Sequence, residues 1–119
     1  MPVYRFACRV AYDDINNEQQ LTLKGVMGFM QEAAMLASAK CGYGFDEVKS
    51  KGVAWLLSQW RIRITGTAIW DTDLEVETWV KPMERVKSVR DFILKDKQGC
   101  TIAIGESVWT LVNVKTGHP

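Results

Sequence analysis

An α+β domain in which an antiparallel sheet curls around one long helix is the fold class this chain predicts. Three observations carry that expectation. A single long helical pattern, Thr22 to Lys40, is crowded with Ala, Gly and Met, whereas the residues from Gly52 to Val114 read only as strands. A lone helix carrying Ala33, Ala34, Ala37 and Ala39 offers small side chains on several sides, so strands can approach it closely. The last strand is apolar or small on both faces, and a sheet with one wet face would not read so. The expected order of elements is β-α-β-β-β-β, with five strands.

At 119 residues the chain is expected to form one domain over 1–119, large enough to bury roughly two-thirds of the surface its unfolded form exposes. No disulfide or metal is needed for folding at that size. Charge is nearly balanced, with 15 Lys and Arg against 14 Asp and Glu, which argues against a nucleic-acid binder that relies on general phosphate attraction. From Lys81 onward there are seven basic and four acidic residues, against eight and ten before it, so an acidic partner would prefer the later strands. Cys8, Cys41 and Cys100 are odd in number and contain no CxxC pair, so they read as reduced, buried thiols. Met1 to Arg9 holds no apolar run of signal-peptide length, and no stretch of about eighteen apolar residues follows. The expected place is therefore the cytoplasm, with no membrane span.

The elements follow in order. Val3 to Tyr12 alternates loosely and contains β-formers, a first strand that the polar turn Asp13 to Gln20 ends. Thr22 then caps the helix with its side-chain oxygen, and Leu23, Val26, Met27, Met30, Ala34 and Ala37 recur at three-to-four spacing as its buried stripe. Gly42 and Gly44 stop it, and Phe45 to Lys51 has the pattern of a short helical turn. In the second strand Ala54, Leu56, Ser58, Trp60, Ile62 and Ile64 alternate with Trp55, Leu57, Gln59, Arg61 and Arg63. In the third, Asp73 to Lys81, Leu74, Val76, Thr78 and Val80 oppose Glu75, Glu77, Trp79 and Lys81, and Pro82 ends it. Val86 to Lys95 is the fourth, Lys97-Gln98-Gly99 a hairpin turn, and Thr101 to Val114 the fifth. Within it Ile102, Ile104, Val108 and Val112 face one way, and Ala103, Trp109 and Leu111 the other. One face should cover the helix. The other, joined by Trp55 and Trp79, should be an apolar outer side that meets another chain or segment, unless Lys and Arg stems cover it.

Several segments in this order carry a resemblance: Gln31-Glu32-Ala33-Ala34 in the helix, Gly52-Val53-Ala54-Trp55-Leu56-Leu57, Leu74-Glu75-Val76-Glu77-Thr78-Trp79-Val80, Arg90-Asp91-Phe92, and Ser107-Val108-Trp109-Thr110-Leu111-Val112. From Tyr4 to Pro119 the chain resembles the N-terminal of the two hotdog domains of acyl-acyl carrier protein thioesterases. The resemblance implies a hotdog fold with strand order 1-3-4-5-2. It implies hydrolysis of the thioester joining a fatty acyl chain to acyl carrier protein, without metal or organic cofactor. It also implies that the acid, Asn and His residues of the catalytic constellation belong to a C-terminal hotdog beyond Lys115-Thr116-Gly117-His118-Pro119. Thioester hydrolysis needs a carboxylate to orient or activate water, or to attack, and a donor for the oxyanion.

Within this chain the catalytic candidates are Asn16, in the loop before the helix, and Glu32, on the helix. Their alternatives are turn-forming Asn and the helix's polar edge, and Asp14 reads as turn chemistry. His118, the lone histidine, sits in a terminus and makes a nucleophile-histidine pair unpromising. No GxSxG or HExxH motif occurs. Met27, Met30, Ala34 and Trp55 are the candidates for an acyl tunnel, since flexible Met and small Ala adapt to a linear tail, although core packing explains the same pattern. Arg61, Arg63, Arg85, Lys87 and Arg90 are the candidate contacts for acidic acyl carrier protein. The expected partners are acyl carrier protein with its fatty acyl thioester, and a second hotdog, in a homodimer or in the same chain. The competing function is a non-catalytic module that binds acyl thioesters or serves as a scaffold. A hotdog dehydratase is disfavoured, because that chemistry wants a histidine beside the acid.

Overall fold

The computed structural model describes residues 2–42 and 49–119. Their elements run β1 (Tyr4–Arg9), a 3-10 turn (Tyr12–Asp14), α1 (Leu23–Lys40), β2 (Val53–Ile64), β3 (Asp73–Val80), β4 (Lys87–Asp96) and β5 (Thr101–Asn113). The strands make one five-stranded antiparallel sheet in the order β1-β3-β4-β5-β2. The helix α1 lies against β1, β3 and β4. Gly44 and most of the expected turn from Phe45 to Lys51 lie outside the described residues.

The helix begins where the capping chemistry places it. Thr22 is extended, and its Oγ1 accepts from the Gly25 N–H at 3.1 Å, satisfying one orphan donor of the first turn. Lys40 closes the last turn, with its Nζ 5.5 Å from the centroid of the Tyr4 ring. The buried face comprises Gly25, Val26, Met30, Ala33, Ala34 and Ala37. Leu23, expected in the stripe, is 54% exposed at the helix start, and Met27 is only half-buried. Small side chains at Gly25 and Ala33 have taken those places, because the backbone of Asp14 approaches Gly25 too closely for a larger residue.

β1 is shorter than the expected Val3 to Tyr12. Its ladder ends at Arg9, after which the Val10 N–H bonds the Thr72 carbonyl and Val10 turns into the core at 1% exposure. Leu74, Val76 and Thr78 of β3 are fully buried on the helix side, matched by Phe92 and Leu94 of β4 and Ala103 of β5. Trp60 packs on Phe92 with ring centroids 5.3 Å apart. Gly105 sits directly beneath Met30: a Cβ there would lie 2.7 Å from the Met30 Sδ.

Two bulges change the faces that strict alternation predicts. In β2 the register slips between Leu57 and Gln59, so that Leu57 opposes Trp109 while Trp60 opposes Ser107. Ser58 is the extra residue, its hydroxyl donating to the Val108 carbonyl at 3.0 Å. Trp55 and Leu57 consequently share the helix-side face with Trp60 and Ile62, and Trp55 is not on the outer face as alternation had it. In β5 a second slip, between the partners of Leu94 and Lys95, leaves both Ile102 and Ala103 buried while Ile104 is 44% exposed.

The outer face is correspondingly less apolar than expected. It carries an ion-pair ladder: Glu77 accepts from Arg5 at 3.1 Å and from Lys95 at 2.8 Å, and Lys81 reaches Glu106 at 3.2 Å and Asp91 at 3.7 Å. Half-buried Trp79, Val89, Ile93 and Val108 lie among these stems, which is the snorkelling alternative to an apolar docking face. The three cysteines are free, but only Cys8 is part-buried; Cys41 and Cys100 are exposed, contrary to the expectation of buried thiols.

Candidate functional site

Toward its C-terminal half α1 does not close onto the sheet, because the helix runs over β1, β3 and β4 and its buried residues beyond Met30 are all alanines, Ala33, Ala34 and Ala37. The gap is a cavity of about 560 Å³, within the range of small-molecule sites. Gln31, Ala34 and Ser38 of α1 form its roof, with Met35 and Cys41. Trp55 of β2, Trp109 of β5, and Ser88 and Arg90 of β4 form its floor and walls, and Val80 to Met83 close the end beyond β3. The Ser58 bulge turns Trp55 toward this space.

Hydrogen bonds hold polar groups in and beneath the floor. Trp109 Nε1 donates to Ser107 Oγ at 2.8 Å, and the Thr78 hydroxyl donates to the Asp91 carbonyl at 2.8 Å. Arg90 is only 7% exposed and its Nη1 donates to Thr78 Oγ1 at 3.2 Å. Burial pulls the guanidinium below the ordinary arginine value, and the neighbouring Cys41 sulfur opposes that shift. Arginine stays charged even so. None of the ion pairs among the described residues includes Arg90.

The residues singled out from sequence divide. Ala34 and Trp55 line the cavity, and Met27 and Met30 do not. Met30 is fully buried in the core over Gly105, where it forms packing rather than a tunnel wall. Asn16 is exposed and its Oδ1 accepts from the N–H groups of Glu18 at 2.8 Å and Gln20 at 3.1 Å, so its amide oxygen is engaged in a turn. Glu32 is an exposed helix residue outside the cavity lining. His118 lies in the exposed C-terminal tail.

Arg61 and Arg63 are exposed on the outer side of β2, while Arg85, at φ 54, and Lys87 are exposed at the β3–β4 hairpin. Arg90 is not part of that surface, because its strand parity is that of buried Phe92 and Leu94. That parity was visible in the sequence and overrides the habit of placing arginine in water. Trp109 and Ser88 were missed as cavity residues, since their facing is set by pairing with Leu57 and with each other. Among the described residues no group of three or more His, Cys, Asp or Glu converges to hold a metal. No helix among them is long and apolar enough to cross a membrane.

Comparison with known proteins agrees with this geometry. A family model for the acyl-ACP thioesterase N-terminal domain matches residues 2–119. The chain is 25% identical over 121 residues to the chloroplastic palmitoyl-acyl carrier protein thioesterase of Arabidopsis thaliana, covering 96% of this chain and 29% of that one. It is 24% identical over 110 residues to oleoyl-acyl carrier protein thioesterase 2 of the same plant, covering 87% and 30%. An acyl-ACP thioesterase structure from Bacteroides thetaiotaomicron superposes with a TM-score of 0.92 at 22% identity, over 98% of this chain and 48% of the other. The 12:0-ACP thioesterase from Umbellularia californica gives 0.86 at 22% identity, over 98% and 45%. The chain therefore spans under a third of the curated relatives and about half of these solved chains. The shared architecture is the hotdog fold, with the strand order that the resemblance implied.

Proposed function

Because this chain belongs to the acyl-ACP thioesterase N-terminal domain family, we propose that it is the acyl-holding half of an enzyme that hydrolyses fatty acyl thioesters carried by acyl carrier protein. The cavity under α1 carries the reading. Its walls are mostly apolar, with Ala34 opening the roof and Trp55 and Trp109 supplying flat surface, which suits a chain held by contact rather than by many hydrogen bonds. The hydrolytic carboxylate and its partners come from a second hotdog, because neither Asn16 nor Glu32 lines the cavity. No cofactor enters the reaction in this proposal.

Pairing with that second hotdog, in the same polypeptide or as a second copy, runs along β2, a 12-residue strand at the end of the strand order. Exposed Arg61, Arg63, Arg85 and Lys87 give acyl carrier protein a basic approach, sensitive to salt. Turnover of acyl-acyl carrier protein by the full-length protein tests the reading. Ala34→Leu, which fills the roof, should depress turnover of long chains while short chains are spared, and reversal of Arg85 and Lys87 to Glu should raise KM at low salt. Equal turnover of all lengths by Ala34→Leu removes the cavity from the acyl site.

A second reading, a binding or scaffolding module without catalysis, draws on one observation: among the described residues no acid–histidine pair stands at the cavity. Binding of acyl-acyl carrier protein by the full-length protein without turnover would select it.

A further inference from the structure

Arg90 is out of keeping with a cavity meant for a plain hydrocarbon tail. Its side chain stands in the floor beside Val80, Ser88 and Trp109, almost wholly removed from bulk water. A guanidinium offers five N–H donors, and Thr78 Oγ1 takes one of them. The carboxylates nearest in the sheet are taken by other cations: Glu77 is held by Arg5 and Lys95, and Asp91 and Glu106 by Lys81, which itself stands at the Val80–Met83 end of the cavity. None of them is paired with Arg90. No fully buried side-chain nitrogen among the described residues lacks a partner, so the remaining Arg90 donors face the cavity space, and covering them with methylene groups would strip their hydration without replacing it. An occupant that brings its own oxygen replaces it.

We propose that this cavity selects acyl chains that carry an oxygen acceptor, a carboxylate above all, on the part of the chain held against Arg90. The apolar walls take the methylenes, while the guanidinium fork takes the oxygen, two parallel bonds to a carboxylate or one to a hydroxyl. The proposal deepens the acyl-binding reading and rests on it. Free carboxylates and oxygenated acyl thioesters share this chemistry, and the length of chain between thioester and oxygen separates them.

The test is equilibrium binding and needs no catalysis. Displacement of the uncharged dye Nile red from the purified chain measures affinity for decanoate, decanol and methyl decanoate. Decanoate should bind roughly tenfold tighter than methyl decanoate, as a charge-assisted bond to a mostly buried guanidinium allows, with decanol between them. Arg90→Met should erase the ranking, and Arg90→Lys should keep the preference for the carboxylate. Equal affinity for the three probes, failure of all three to bind, or a ranking that survives Arg90→Met overturns the proposal. The wild-type comparison stands even if Arg90→Met fails to fold. Turnover of plain acyl chains with no preference for decanoate would sink this inference alone, whereas the preference without turnover would sink only the thioesterase reading.

Discussion

Gly25 and Gly28 lie three residues apart on the same helix and have opposite reasons for being glycine. A Cβ at Gly28 meets nothing within 4 Å, so Gly28→Ala should stabilise the fold by about 1 kcal/mol, the ordinary cost of glycine in a helix interior. A Cβ at Gly25 would lie 3.1 Å from the Asp14 carbonyl oxygen and 2.7 Å from Leu21 Cδ1. Gly25→Ala should therefore destabilise by about 2 kcal/mol despite its better helix propensity. Denaturant midpoints of the two variants decide it, and equal shifts would show that the close approach at Gly25 is relieved without cost. Cys8 supplies a pH dependence. Burial first, then the charges of Asp14 and Glu75, push its thiol up to about 12. The folded state thus holds this proton more tightly than the unfolded chain does. Its contribution is fully present at neutral pH and is lost as pH climbs from the ordinary thiol range toward about 12. Urea midpoints at about pH 8 and about pH 10 should fall further for the wild type than for Cys8→Ala. Parallel falls would show that Cys8 does not couple to folding.

At the scale of elements, the β2 bulge does the most for the site. Without Ser58, strict alternation would point Trp55 and Leu57 away from the helix while Trp60 and Ile62 stayed on it. Deleting Ser58 should therefore remove Trp55 from the cavity wall, red-shift tryptophan fluorescence and cost about 2 to 4 kcal/mol in lost burial. An unshifted spectrum would mean that the register heals elsewhere. Alternation read from sequence was right for β3, whose buried Leu74, Val76 and Thr78 oppose outer Glu75 and Glu77, because no irregularity interrupts that strand. It failed in β2 and β5 because a bulge leaves no residue signature that a period of two can detect. The helix cap was legible, since a Thr Oγ1 meeting an N–H three residues on is local chemistry.

At the scale of the whole molecule, the sheet ends at β1 on one side and β2 on the other. Among the described strands β2 has a neighbour only at β5, and a 12-residue strand with a free edge is a template for pairing. Under the edge-pairing proposal the isolated 119-residue chain should self-associate in sedimentation, and covalent continuation into a second hotdog should abolish that association. A chain that stays monomeric at the highest soluble concentration would argue against self-pairing. The outer face is a weaker template, because its ladder of ion pairs places charged stems around half-buried Trp79.

Local pattern alone was sufficient for the long helix, its Thr22 cap, the five described strands and their order along the chain, since each depends on residues within a few positions of one another. The resemblance to known thioesterases added the order of strands in the sheet. Folding added the inward turn of Trp55, the burial of Arg90 and the space left beneath Ala34. Those depend on which residue of a distant strand each one meets and on where a helix stops touching a sheet, quantities fixed by long-range register and packing rather than by neighbours in the chain.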